Sequence, residues 1–260
     1  MVLRTKVAIP VTALYQAWQA AGLPSLHRAL LTQVDFDEDL LESGDLSELE
    51  RLQRTAWAQL EQYGLARGNQ IHPDLAAALR LVVEAGVEYW AFFSLKDGPQ
   101  QSVLVVSNGQ DALRIVLTPD QQFVLEPVRP DEAPQALVGA LPPVPAGKGS
   151  PITLPEDALK QKPRSSYEDT GSFLQQSRPT STPNDQLVAQ LKQIMSEPRT
   201  GGGQVYSAKR DHLGRKQRCA NPLTFIDTPS GRYLAARDQG WLRVQPADFG
   251  TLARMTATMP

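Results

Sequence analysis

Four short runs of strand-like sequence, separated by turns, place the strongest constraint on how this chain folds. They lie at 87–95, 102–106, 112–117 and 122–128. Their apolar residues follow a period of two, as in β-strands, whereas helices repeat apolar residues every three to four positions. The intervening turns are rich in Asp, Asn, Gly and Pro, which favour tight chain reversals. The pattern therefore predicts an antiparallel meander rather than a parallel sheet with crossover helices.

A second meander is predicted between Gly201 and Asp238. Its first strand alternates two sets of side chains, and one set consists of Gln204, Tyr206 and Ala208. The three glycines that open it, at 201–203, precede a strand and not a helix. Because anion-binding glycine loops use the N–H groups of a following helix, we interpret these glycines as a close backbone approach or a flexible joint.

The two meanders belong to halves of the chain that share one order of elements. VAIPVTAL at 7–14 corresponds to ITLPEDAL at 152–159, and FVLEPVRPDEAPQAL at 123–137 corresponds to WLRVQPADFGTLA at 241–253. A period above about 100 residues is too long for a solenoid. We therefore predict a single α+β domain of two pseudo-repeats, 1–142 and 150–260, joined in one antiparallel sheet. Two unrelated α+β halves with the same order of elements are the alternative.

Two polar stretches interrupt this pattern. Eight of the 21 prolines lie between Pro142 and Asp185, and the stretch 160–185 has too few apolar residues to form a core. We predict that 160–185 is a flexible linker. Between Arg28 and Arg51 the chain has eight acidic residues and no basic one. We interpret this acidic stretch as a solvated loop that leads into a helix, with a patch for a basic partner as the alternative.

Composition and charge exclude several classes of protein. The chain has 260 residues, 41% of them hydrophobic, and a net charge of −2. This balance gives no global positive field, so nucleic acid is not an expected partner. The single cysteine, Cys219, cannot form an intrachain disulfide, which suits a reducing cytosol. A signal-peptide core and a run of about 18 apolar residues are both missing, so we expect a cytoplasmic protein without membrane insertion.

Sequence motifs of catalysis and metal binding are also missing. The three histidines, His27, His72 and His212, have no second His or Cys at the spacing of zinc ligands. The nucleophile elbow, the zinc-protease motif and the phosphate-binding loop do not occur. We therefore expect a protein with no metal, no cofactor and no enzymatic activity.

A cluster of cations surrounds the first turn of the second meander. Its members are Lys209, Arg210, Arg215, Lys216 and Arg218. Aromatic residues are not interleaved with them, as they are in platforms that bind single-stranded nucleic acid. We interpret the cluster as a solvated hairpin tip. A protein-contact patch and a nucleic-acid contact are the alternatives.

The order and spacing of motifs in the second half resemble those of the EspG family. These proteins are chaperones associated with ESX (type VII) secretion in mycobacteria and related actinobacteria. The resemblance covers essentially the whole chain. Its most specific motifs are Gly202-Gly203-Gln204, Arg210-Asp211, Gly214-Arg215, Asp227-Thr228-Pro229, Gly231-Arg232-Tyr233 and Val244-x-Pro246-Ala247-Asp248.

The resemblance implies an α+β fold in which two quasi-symmetric halves share a central antiparallel sheet flanked by helical bundles. It also implies a non-catalytic cytosolic chaperone. Such a chaperone binds the hydrophobic helical tip of the PPE protein in a PE–PPE pair, keeps the pair soluble and delivers it to the ESX secretion machinery. A generic interaction scaffold or regulatory module without catalytic activity is the alternative.

The resemblance further implies that the partner binds the central sheet and the C-terminal half. The hairpin at 97–101 is an additional predicted contact. The predicted partner-binding residues are Gln204, Tyr206, Ala208, Phe225, Asp227, Arg232 and Leu234.

Overall fold

The structure, a computed structural model, describes residues 3–31, 46–159 and 183–259. Most of the acidic stretch, at 32–45, and the predicted linker from 160 to 182 lie outside the described residues. One boundary of the linker changes, because a helix begins at Pro183 and not after Asp185. Proline is well tolerated at the first helical position, where its missing N–H would have no partner in the helix.

The core of the fold is one large antiparallel sheet, and a small hairpin lies apart from it. The four strands predicted in the first half and the second meander are confirmed. The strands are β1 (Val7–Pro10), β2 (Ala66–Arg67), β3 (Gln70–Ile71), β4 (Val87–Leu95), β5 (Gln101–Ser107), β6 (Ala112–Leu117), β7 (Gln122–Val128), β8 (Ile152–Pro155), β9 (Gly201–Arg210), β10 (Lys216–Arg218), β11 (Leu223–Thr228), β12 (Gly231–Asp238) and β13 (Trp241–Pro246).

The strand order of the sheet is mirrored about its centre. It runs β1-β7-β6-β5-β4-β9-β11-β12-β13-β8, and β10 pairs with β9 beside this path. The first half begins at one outer edge of the sheet with β1, and its later strands run from β4 at the centre back toward that edge. The second half begins at the opposite edge with β8, and its later strands run from β9 at the centre back toward that edge. Two pseudo-repeats joined at β4 and β9 would produce this order.

The two halves meet where β4 pairs with β9 along its full length, from Val87 opposite Lys209 to Leu95 opposite Gly201. Glycine is required here by space. A Cβ atom on Gly203 would overlap the carbonyl oxygen of Phe92 and lie 2.8 Å from Cζ of Phe225. The predicted close backbone approach is therefore confirmed, and it lies at the junction of the two halves.

Helices cover both faces of the sheet. The α-helices are α1 (Val11–Ala20), α2 (Arg28–Leu31), α3 (Leu46–Gln62), α4 (Pro73–Glu84), α5 (Ala133–Val138), α6 (Pro183–Ser196) and α7 (Phe249–Ala257). Short 3-10 turns lie at Pro130–Glu132 and Glu156–Leu159. At the start of α4, the ring of His72 accepts a hydrogen bond from the backbone N–H of Asp74, and Pro73 takes the first helical position.

Three apolar clusters hold these layers together. On the first face of the sheet, α1 to α4 bury residues such as Leu14, Leu79 and Trp90. On the second face, α5 and α7 bury residues such as Leu137 and Leu252 against the centre of the sheet. A third, smaller cluster joins α6 to the outer strands of the second half. Among residues 3–31, 46–159 and 183–259, the first face is therefore covered by several helices in one half and by one long helix in the other.

Replacing Gly203 with Ala tests the junction. Because the new methyl group meets backbone and an aromatic ring, we expect Gly203→Ala to lower the free energy of unfolding by about 1–3 kcal/mol. Gly250→Ala in α7 is the matched control, since its Cβ would meet only a carboxylate oxygen of Asp248 at an ordinary contact distance of 3.7 Å. The control should be neutral or stabilising by up to about 1 kcal/mol. Urea denaturation measures both, and equal effects would contradict a close approach at Gly203.

Candidate functional site: a groove beside the helix α6

An open groove lies on the first face of the sheet, between α6 and the centre of the molecule. Its volume is about 960 Å³. The floor is formed by β9, β11 and β12, and α6 forms one wall. The end of β4 and the turn that follows it form another part of the border. The groove therefore spans the junction of the halves and the inner strands of the second half, where the resemblance places the partner.

The groove combines a low floor with apolar walls. Gly202 contributes no side chain to the floor, and Ile226 lies opposite it on β11. Ile194 and Met195 of α6 line the wall. Leu95 and Met195 are 48% and 44% exposed, which is high for large apolar side chains. An open apolar groove of this kind is typical of surfaces that bind another molecule.

A group of aromatic residues borders the groove on the side of the first half. The ring of Tyr206 stacks on that of Trp90 at a centroid distance of 5.5 Å and meets the edge of Phe92 at 6.1 Å. The guanidinium of Arg28 lies 5.4 Å from the ring of Tyr206. The hydroxyl of Tyr206 donates a hydrogen bond of 2.5 Å to the side-chain oxygen of Gln204. These contacts hold Tyr206 and Gln204 in place before any partner arrives.

The predicted partner-binding residues fall into two groups. Gln204 is exposed and lines the groove, and Tyr206 beside it is half-buried. The other five are at most 3% exposed and are covered by the protein itself: Ala208, Phe225, Asp227, Arg232 and Leu234. In this structure those five support the sheet instead of forming its surface. The reason is alternation, since Phe225 and Leu234 point to the second face, where α5 and α7 cover them.

Asp227 and Arg232 form a buried ion pair across the turn between β11 and β12. Nε and Nη2 of Arg232 donate to the two carboxylate oxygens at 2.6 and 2.8 Å. Nη2 also donates to the carbonyl of Pro142 at 2.9 Å. The guanidinium carbon lies 4.7 Å from the centre of the Phe225 ring. The pair therefore ties the segment after α5 to the second half. The two residues lie opposite each other in the register of β11 and β12, so the turn between these strands brings them together.

Four apolar residues of the groove were not predicted as contact residues from the sequence: the exposed Leu95 and Met195 and the half-buried Ile194 and Ile226. The sequence does show the apolar stripe of α6, which consists of Leu187, Leu191, Ile194 and Met195 at helical spacing. That stripe alone indicates a face that is buried somewhere. Only the packing shows that Leu191 is buried while Met195 is exposed at the groove.

Removing one partner of the buried ion pair should be costly. We expect Arg232→Met to lower the free energy of unfolding by about 3–5 kcal/mol, because it leaves the Asp227 carboxylate buried and unpaired. Arg129→Met is the control, since its pair with Asp131 is exposed and adds little to stability. Adding Asp227→Leu to Arg232→Met should recover part of the loss. If the two single variants are equally stable, the buried pair is unimportant.

The cations at the first turn of the second meander are largely bound within the protein. The side chain of Arg210 donates to the carbonyls of Ala85 at 3.1 Å and Val83 at 2.6 Å, at the end of α4. Nζ of Lys209 donates to the carbonyl of Met259 at 2.9 Å. The interpretation as a solvated hairpin tip is therefore wrong for these two residues. Carbonyls at the end of a helix attract cations because they carry partial negative charge.

Lys216 from the same cluster pairs with Glu88, a carboxylate on β4 that is 2% exposed. Nε2 of His27 lies 3.3 Å from the same carboxylate. Burial raises the pKa of Glu88, but hydrogen bonds from His27 and Lys216 and the charge of Lys216 outweigh it. The pKa of Glu88 therefore lies below its ordinary value of 4.5. This carboxylate connects β4 and the loop before α2, both in the first half, to β10 in the second half. It therefore stabilises the junction of the two halves.

The low pKa of Glu88 predicts how stability depends on pH. A carboxyl group whose pKa is lower in the folded state stabilises the protein above its unfolded pKa and loses that effect as the pH falls through the folded value. We expect Glu88→Gln to cost on the order of 1–3 kcal/mol at pH 7. The difference from the unmodified protein should shrink below pH 4.5. Urea denaturation at pH 7 and at lower pH measures it, and a constant difference would contradict the lowered pKa.

Other features of the described residues bear on membranes and metals. Among residues 3–31, 46–159 and 183–259, no helix has the length and apolar character needed to cross a membrane. The same part of the chain has no cluster of three or more His, Cys, Asp or Glu side chains arranged to hold a metal ion.

Comparison with known proteins identifies relatives of this fold. A sequence profile of the EspG family matches residues 10–257. No curated protein matches the chain by sequence. The structure is similar to that of the type VII secretion system chaperone EspG5 of Mycobacterium tuberculosis, solved in complex with the PE25–PPE41 dimer. The TM-score is 0.61 at 14% sequence identity, and the match covers 98% of this chain and 97% of EspG5. The likeness to EspG5 establishes a shared fold.

Proposed function

This chain belongs to the EspG family, and we propose that it is a cytoplasmic chaperone for a PE–PPE pair. In this proposal it binds the PPE protein at the hydrophobic tip of its helical bundle, keeps the pair soluble and delivers it to the type VII (ESX) secretion machinery. The observation that carries the proposal is the open apolar groove on the sheet, in a fold shared with a chaperone that was solved with such a pair.

The groove suits a client whose apolar helix ends are exposed. Such ends promote aggregation in water, because contiguous apolar surface associates with itself. Covering them removes apolar area from water and stabilises the complex by about 25 cal/mol for each Å². A stable complex buries about 1,200–2,000 Å² in total, so contacts must extend beyond the groove itself. The aromatic residues that border it and the turn after β4 are the adjacent surfaces available.

We propose that the contact surface consists of two predicted residues and three that the packing adds. Gln204 and Tyr206 are held at the border of the groove by their mutual hydrogen bond. Leu95 and Met195 offer the most exposed apolar side chains among the groove residues. Ile226 lies on the floor between them. The turn at 97–101 stays in the proposal because Asp97 lines the groove.

We also propose that the chain is one domain of two pseudo-repeats, 1–142 and 150–260, without enzymatic activity. The mirrored strand order supports the pseudo-repeats. The linker in this proposal ends at residue 182, where α6 begins. Membership of a chaperone family supports the absence of catalysis.

Co-expression with each PE–PPE pair of the source genome tests the function. We expect one or more pairs to become soluble and to co-purify with this chain as a ternary complex. The double variant Leu95→Gln with Met195→Gln should weaken that complex at least about tenfold, because it makes the apolar border polar without adding charge. Leu213→Gln is the matched control, since Leu213 is an exposed leucine outside the groove.

Affinity can be measured by titration of the purified pair, and circular dichroism checks that each variant remains folded. If every pair is equally soluble alone and none co-purifies, the chaperone function is wrong and a generic scaffold becomes the better interpretation. If a pair binds but Leu213→Gln weakens it as much as the groove variant does, the groove is not the binding site.

A further inference from the structure

The charged residues that line the groove are mostly cations. They are Lys96, Asp97, Lys192, Arg199 and Arg237, and all five are exposed. They come from the turn after β4, from α6 and the segment that follows it, and from β12. Cations from several separate elements therefore border one groove, and a single acid, Asp97, opposes them. We call these five residues the groove rim.

This positive rim is local, because the chain as a whole has 26 cations and 28 acids. It also differs from several other cationic positions in the second half. Arg232 and Lys216 are paired with carboxylates inside the protein, and Arg210 is bound to backbone carbonyls. Those cations have an architectural use that explains their presence.

The rim cations form few contacts that stabilise the fold. Arg237 lies 3.4 Å from a carboxylate oxygen of Glu156, in a pair whose members are both exposed. Within the part of the chain that the structure describes, Lys96, Lys192 and Arg199 have no carboxylate within ion-pair distance. Exposed pairs add little to stability, so the fold gains little from the rim. Its charge is available to a molecule that enters the groove.

We infer that the client's tip carries carboxylates around its apolar centre and that the groove rim selects clients with this charge pattern. The inference rests on the proposed function. Apolar contact alone discriminates poorly between clients that all expose apolar helix ends. Opposite charges at the border speed association and fix the register, whereas a tip with Lys or Arg at the same places meets four like charges.

The same charge argues against a second copy of this chain as the occupant. In a symmetric dimer through the groove, each rim would face an identical rim. Four cations and one acid on each side would then be brought together, and repulsion would oppose the contact. An acidic client has the opposite effect, so charge complementarity favours a different protein.

Charge reversal at the rim tests this inference with the PE–PPE pair that co-purifies in the experiment above. The double variant Lys192→Glu with Arg199→Glu changes the net charge by −4. Arg67→Glu with Arg80→Glu is the matched control, since both residues are exposed, lie outside the groove and give the same change. Dissociation constants are measured at about 0.05 M and 0.5 M salt, where screening lengths differ several-fold.

We expect the rim variant to weaken binding at least about tenfold at low salt and much less at high salt, while the control stays within about twofold. Replacing the carboxylates at the client's tip with amides should produce the same loss and the same salt dependence. An unchanged affinity of the rim variant overturns the inference, and so does an equal loss in the control.

These outcomes separate the inference from the function. If the apolar variant Leu95→Gln with Met195→Gln weakens binding and the rim variant does not, the proposed function stands and the charge selection is wrong. If neither variant affects a pair that binds, the client docks elsewhere and the groove proposals both fall. If no pair co-purifies, the chaperone function fails and the inference fails with it.

Discussion

The pairing of β4 with β9 is the interaction on which the rest of this structure depends. It joins two meanders that would otherwise be separate sheets, each with an exposed edge that invites aggregation. The pairing extends from Val87 to Leu95, and Gly203 allows the strands and the ring of Phe225 to approach closely. Because the strands of both halves extend outward from this pairing, it determines where the helices pack and which sheet surface remains exposed.

The groove arises from an asymmetry between otherwise matching halves. Both halves place a helix on the second face, α5 and α7, and these two helices pack against the central strands. On the first face, the N-terminal half carries α1 to α4, whereas the C-terminal half carries α6 and a short 3-10 turn. In the part of the chain that the structure describes, sheet surface that several helices bury on one side is therefore left uncovered on the other. The proposed binding surface follows from this difference between the described parts of the two halves.

Several charged residues of types that are common in active sites stabilise the fold of this protein instead. Asp227 and Arg232 hold the segment after α5, and Glu88 holds Lys216 and His27 at the centre. Buried charges of this kind are tolerated because each is paired, and they fix one arrangement of their neighbours. Lys96, Lys192 and Arg199 border the groove and have no such partner among the described residues. The buried charges therefore act as internal joints, whereas the charges of the groove rim are exposed.

The sequence by itself determined the α+β class and the strands, and it limited the glycines to a close backbone approach or a flexible joint. These depend on local periodicity and on residues with special backbone properties, which are visible without a structure. The resemblance to the EspG family predicted Gln204, Tyr206 and Ala208 as partner-binding positions on one strand, and Ala208 is buried. Only the tertiary structure decided that Phe225 and Leu234 are buried, that Arg210 binds a helix end and that Met195 faces a groove. Those outcomes depend on which helix covers which face, and that is set by contacts between residues far apart in the chain.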